Sequence, residues 1–250
     1  MKKTFILVHG AWHGGWCWAG VADYLGGFGH RTVSPTMPGH APGEKRSGIG
    51  LADYVTALID AIDREAGSLV LVGHSSGGFL IQCAAAKRPD RVSHLVFVNA
   101  FILDHGKSQF DMIPKPVSEG MTAAAGASDD NTIPVMADFI RTTLMSGDSR
   151  EDQDRLIGRL VPQPLTLFNT PMELAGFDPG RFALSLVHCT KDRSLPPGAY
   201  TDMAAGIGCT SRVDLDLDHE GLFTHPGQVG EGILAAVAGA QTPDNPHHTE

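Results

Sequence analysis

The chain has 250 residues, 42% hydrophobic and 19% charged, with a formal net charge of −9, which suits one substantial globular core. That acidic balance argues against nucleic acid and against an anionic membrane surface, because both partners call for clustered Lys and Arg. Four scattered cysteines without CxxC spacing argue against a metal site or disulfide framework and read as reduced thiols.

In chain order, "TFILV" (4–8) has the look of a buried strand, and "HRTVSP" (30–35) of a second. The apolar run Phe5 to Val8 is too short for a secretory h-region, and no stretch approaches the roughly 18 apolar residues of a membrane span. A cytoplasmic protein is the expectation. Trp18, Val21, Ala22 and Leu25 recur at helical spacing, and Leu51, Tyr54, Val55, Leu58, Ile59 and Ile62 form one apolar stripe of period 3.6. A strand over 69–72, a helix from about Ser76 to Lys87 and a strand over 94–100 follow. Strands apolar on both faces and separated by helices predict a mostly parallel sheet covered on both sides.

The rhythm breaks between about Leu103 and Phe182. Pro-rich turns, the small-residue patch "MTAAAGASDD" and a stripe at Ile133, Met136, Ile140 and Leu144 predict an all-helical insertion. The alternation resumes with strands at 182–189 and 211–217 and a last helix within 226–238. The expected organisation is therefore a core from 1–102 and 183–240, a helical cap over 103–182 and a flexible tail at 241–250.

Gly73-His74-Ser75-Ser76-Gly77 matches G-x-S-x-G, after a predicted strand and opening a predicted helix. In such an elbow a sharp turn exposes the central hydroxyl, and glycine two residues away on either side avoids collision. Spacing makes Ser75 the candidate nucleophile. Ser76 then contributes the backbone N–H at a helix start, where developing negative charge is stabilised. A Gly/Ser helix cap is the bland alternative.

A serine hydroxyl needs a base, and the base needs an orienting acid. In elbow sheets the acid and then the histidine follow later strands. Asp192 in "TKDRSLPP" and His219 in "DLDHEG" stand just after the two late strands. Asp104 competes for the acid and His225 for the base, while Asp214, Asp216 and Asp218 are weaker because alternation turns some of them away. A turn or helix-cap role is the alternative for Asp192. After the first strand, His9-Gly10 permits close backbone approach, so the N–H of Ala11 is the candidate second oxyanion donor. A tight turn needing glycine for sterics is compatible with that role.

"LVHGAWHGGWCW", "LVGHSSGG", "CTKD" and "DLDHEGLFTHP" together resemble the α/β-hydrolase superfamily. The closer resemblance is to its branch of small esterases that includes plant methyl esterases and hydroxynitrile lyases. It covers nearly the whole chain, with 103–182 the least matched part. It implies an α/β-hydrolase fold and a Ser75, Asp192, His219 triad. Plant-type hydroxynitrile lyases carry a lysine after the histidine and a Thr or Asn in place of the glycine of "HG". Here those positions are Glu220 and Gly10, which disfavours lyase chemistry. Dehalogenases and epoxide hydrolases of the superfamily use Asp at the elbow, and Ser75 speaks against both. Cofactor-free dioxygenases, decarboxylases and hormone receptors share the fold and are the alternatives.

The implied activity is hydrolysis of a small, largely apolar or aromatic ester through an acyl-enzyme, with no metal or cofactor. A homodimer is left open. Trp12 and Phe101, together with Met112, Ile113, Phe139, Leu144, Met145, Leu165, Leu167 and Phe168 of the cap, are candidate pocket walls or cap core.

Overall fold

The computed structural model describes residues 2–240, so the tail at 241–250 lies outside the described residues. Strand β1 (Thr4–Val8) is followed by a single 3₁₀ turn, helix α1 (Ala19–Gly27), β2 (Arg31–Val33), α2 (Leu51–Asp63), β3 (Leu69–His74), α3 (Gly77–Lys87) and β4 (Val92–Val98). After the insertion come β7 (Ala183–Cys189), α8 (Ala199–Gly206), β8 (Ser211–Leu215), α9 (Gly221–Thr224) and α10 (Pro226–Gly239). The six core strands form one sheet in the order β2-β1-β3-β4-β7-β8, parallel at every pair.

The two-residue alternation of the strands divides the core. Ile6, Val8, Leu69, Leu71, Leu95 and Phe97 face one layer with α2, α3 and α8. Phe5, Leu7, Val70, Val72, Val96 and Val98 face the other with α1 and α10. All twelve are essentially buried, and each such side chain contributes about 2 kcal/mol of transfer free energy. This double burial is why the strands read as unbroken apolar runs. Helix α2 begins where the Asp53 carboxylate accepts the Gly50 N–H at 2.8 Å.

Some boundaries differ from expectation for a local reason. The strand expected over 94–100 ends at Val98, because Asn99 takes a left-handed φ of 40°. The strand expected to reach 217 stops at Leu215, where the Leu217 N–H turns back to the Leu215 carbonyl. Helix α8 was anticipated only as a helix that Asp192 could cap, without bounds; its buried Tyr200 and Ala204 are spaced for one turn of helix, too short a stripe to mark its ends.

Between β4 and β7 lie α4 (Lys115–Gly126), β5 (Thr132–Ile133), α5 (Ala137–Phe139) running into a π-helical turn at Ile140–Leu144, α6 (Arg150–Ile157), β6 (Gln163–Pro164) and α7 (Thr166–Asn169). The insertion is thus not all helical. β5 and β6 pair antiparallel over two residues each, too short to print any alternation in the sequence. No described helix is long and apolar enough to cross a membrane.

Candidate active site

The chain switches sides of the sheet between β1 and β3, which opens a crevice at their carboxyl ends. Ser75 follows β3 directly with a φ of 52°, a left-handed conformation that costs a non-glycine residue of order 1–2 kcal/mol. Backbone bonds hold it there. Its N–H donates to Val98 O at 3.3 Å, and its carbonyl accepts from Gly78 and Phe101, both at 3.0 Å. A Cβ on Gly73 would lie 2.5 Å from the Gly77 carbonyl oxygen, and one on Gly77 would lie 2.5 Å from that of Val8. Both glycines are therefore steric necessities of the turn. Ser76 caps α3, and its hydroxyl donates to Gln109 Oε1 at 2.8 Å.

The loop after β1 comes close to the same point, since a Cβ on Gly10 would sit 2.8 Å from Ser75 Cβ. His9 Nε2 accepts the Met37 N–H at 3.0 Å, so Nδ1 carries the hydrogen and donates to Gly10 O at 2.8 Å. That bond grips the peptide whose other end is the Ala11 N–H. The next peptide is gripped as well: Trp12 N–H donates to Gln163 Oε1 at 3.0 Å and His13 Nδ1 donates to Ala11 O at 2.7 Å. Among the described residues, the N–H groups of Ala11 and Ser76 have no hydrogen-bond acceptor.

His219, in the loop after β8, donates from Nδ1 to Asp192 Oδ2 at 2.6 Å, with both side chains almost wholly buried. Asn99 Nδ2 donates to the same oxygen at 2.6 Å, and the Ser194 N–H occupies Oδ1 at 2.7 Å. Burial alone would lower the pKa of His219, but the charge and hydrogen bond of Asp192 outweigh it and hold it above the ordinary value. Burial likewise pushes Asp192 upward, and the His219 charge and hydrogen bonds from His219 and Ser194 carry it well below the usual carboxylate range. The Ser75 hydroxyl and His219 line one cavity. No hydrogen bond joins Ser75 Oγ to a described residue, a looseness common before substrate is bound.

The competing residues lie elsewhere. Asp104 and His225 are exposed. Asp214 pairs with Arg212 and with His188 of β7, and Asp216 with Lys191, all at the surface apart from the partly buried His188 ring. Asp218 is buried and accepts the Gly147 N–H at 2.5 Å, which ties the insertion to the His219 loop.

A model of the alpha/beta hydrolase family matches residues 5–231. The chain belongs to that family. This α/β-hydrolase is 33% identical over 188 residues to a carbendazim hydrolyzing esterase of Nocardioides sp. (strain SG-4G), covering 69% of this chain and 74% of that one. It is 26% identical over 253 residues to methylesterase 1 of Arabidopsis thaliana, covering 93% and 95%. Among solved structures it superposes on an extracellular α/β-hydrolase from a Paenibacillus species, described as sharing structural and functional homology with tobacco salicylic acid binding protein 2. The TM-score is 0.88 at 26% identity, over 94% of this chain and 99% of that one.

The hydrolase cavity has a volume of about 220 Å³ and a mainly apolar wall. Trp12, Phe101, Ile113, Phe139, Leu144 and Phe168 all reach it. Leu167, expected there, is instead buried in the core. The helical turn between neighbours on α7 gives Phe168 the cavity side. Met145 and Leu165 are likewise buried in packed clusters and do not line the cavity, and Met112 is exposed.

Sequence reasoning missed Asn99, Gln163 and Arg193. Asn99 sits just past β4, and an Asn at the carboxyl end of a buried strand is the signal available for it. Gln163 is wholly buried, bonded to Trp12 N–H and to the Tyr54 hydroxyl at 3.0 Å each. Arg193 brings a cation to the rim beside Ser194, adjacent in sequence to Asp192.

Proposed function

We propose that this α/β-hydrolase is a serine ester hydrolase working through an acyl-enzyme, with Ser75 as nucleophile, His219 as base and Asp192 as the orienting acid. The carrying observation is the convergence on one cavity of a left-handed Ser75, two free N–H groups and a histidine bonded to a buried carboxylate at 2.6 Å. In this reading His219 Nε2 takes the Ser75 proton as the oxygen attacks the ester carbonyl. The Ala11 and Ser76 N–H groups receive the oxyanion, each worth about 3 kcal/mol of barrier. His219 then protonates the departing alcohol, and water repeats the cycle on the acyl group.

Names of relatives that join esterase to carbendazim hydrolysis and to methyl esters support this reaction class. The apolar wall of Trp12, Phe139, Leu144 and Phe168 supports a small, largely apolar or aromatic ester. Residues 103–182 act as the cap that selects it. The reaction uses no cofactor, and it holds for a monomer or a homodimer because every group lies on one chain.

The test is turnover of p-nitrophenyl acetate and labelling by a serine-directed fluorophosphonate. Wild type is expected to turn over and to carry the label on Ser75, and Ser75→Ala to do neither. Turnover that survives in Ser75→Ala, or a wild type that neither turns over nor labels, would overturn the reading.

A further inference from the structure

Behind His219, on the side away from the cavity, lies a second buried acid and histidine that the reaction above does not use. Glu220 is fully buried, and its Oε2 stands 3.1 Å from His13 Nε2. The two atoms are off the line of a good hydrogen bond, and neither has another partner among the described residues. His13 Nδ1 faces a carbonyl, Ala11 O, which only accepts. Nδ1 therefore carries a hydrogen, and a carboxylate facing a bare Nε2 lone pair would be repulsive. One proton must lie between His13 Nε2 and Glu220.

Glu220 also reaches His219 itself. One Glu220 oxygen, one ring nitrogen of His74 and one of His219 lie within 4.8 Å of one another. His74 Nε2 donates to His219 O at 3.1 Å, which pins the loop while leaving His74 Nδ1 without a partner. Facing Glu220 are His13 and Cys17 from the β1–α1 connection, His74 from the end of β3, Cys189 from the end of β7, and Asp218 and His219 from its own loop. Burial pushes the Glu220 carboxyl upward, yet the neighbouring His13 more than offsets it and holds the carboxyl below its ordinary range. It is thus a carboxylate placed under the proposed base.

We propose that Glu220 is a positioning residue of the site: through His13 it holds the Ala11 peptide in line with Ser75, and its negative charge favours the imidazolium that His219 becomes during the reaction. His219 thereby has two carboxylates, Asp192 in direct hydrogen bond and Glu220 at longer range. The histidine loop and the oxyanion loop are joined through one buried pair. The inference rests on His219 being the general base.

The test is the pH profile of kcat/KM on p-nitrophenyl acetate, whose acid limb reports loss of the His219 proton. Glu220→Gln keeps the shape and removes the charge, so its acid limb moves to lower pH by about half a unit or more. Glu220→Asp keeps the charge and returns the limb toward the wild-type position. A defect that is merely structural lowers kcat without moving the limb. If Glu220→Gln does not fold, His13→Gln takes its place: it keeps the Glu220 carboxylate and removes the partner that neutralises it, so its limb moves to higher pH. An unmoved limb in the folded variant overturns this proposal and leaves the esterase reading standing. A wild type with no turnover, or turnover surviving in Ser75→Ala, overturns the esterase reading first.

Discussion

Asn99 Nδ2 and His219 Nδ1 donate to the same oxygen of Asp192, each at 2.6 Å. Asn99 also takes the Cys189 N–H on its Oδ1 at 2.7 Å, so one side chain ties the end of β4 to the end of β7 and to the acid that follows it. Asn99→Ala leaves buried groups unpartnered, at about 1–3 kcal/mol each. Its thermal midpoint is expected to fall by about 5 °C, and kcat to fall about tenfold with little change in KM. Asn99→Asp is expected to be worse, since it sets two carboxylates on one contact. Melting curves and steady-state kinetics of the two variants check this.

Asp192→Asn is expected to cut kcat by about 10³ to 10⁴, by analogy with removal of a histidine-orienting acid. Asp104 is exposed, so Asp104→Asn should stay within about twofold of wild type. Equal losses in the two variants would remove Asp192 from its proposed role.

Ser76→Ala keeps the backbone N–H and loses only the hydroxyl bond to Gln109. A loss of about 1 kcal/mol in stability and less than tenfold in kcat is expected. Ser75→Ala should instead fall to background. A Ser76→Ala variant as dead as Ser75→Ala would mean that the hydroxyl itself takes part.

Gln163 bonds both the Trp12 N–H and the Tyr54 hydroxyl from within the insertion. Gln163→Leu frees both, and loosening of the Ala11–Trp12 loop should lower kcat about tenfold or more, with KM less affected. Gln163→Glu keeps an oxygen for Trp12 N–H and should recover part of that loss. Kinetics on one small aryl ester distinguish the two.

Acid should unfold this protein early. His9, His40, His74 and His94 are buried, and burial lowers all four, His40 and His94 to about 4 and His74 to about 3. They stay neutral in the fold and ionise in the unfolded chain, so the stability they contribute is present above pH 6.5 and drains as pH falls toward 4. His219 is raised and works the other way, its contribution being complete below its unfolded value and lost as pH rises through the folded one. The balance is a stability that falls as pH drops from 6.5 toward 4, because four lowered histidines outnumber the one that is raised. Urea midpoints between pH 7 and 5 measure it, and a flat profile would contradict neutral burial.

Ser75 and the strands around it were legible because their constraints are local. The elbow glycines are forced by carbonyl oxygens that any Cβ there would approach to 2.5 Å, and the double-faced apolar runs of β1, β3 and β4 are forced by burial on both sides. Local steric and burial demands write themselves into adjacent residues, so composition, motif and period sufficed to draw the sheet, the elbow and the candidate acid and base.

The tertiary structure decided what depends on distance in sequence. Gln163 meets Trp12 across 151 positions, Asn99 meets Asp192 across 93, and Leu167 yields the cavity to Phe168 by the turn of one short helix. Glu220 read from sequence as a missing positive charge; the fold shows its carboxylate turned inward against His13 and His74. Hydrogen bonds and charges act through space, and a chain whose partners lie tens of residues apart carries no local period from which such pairings can be read.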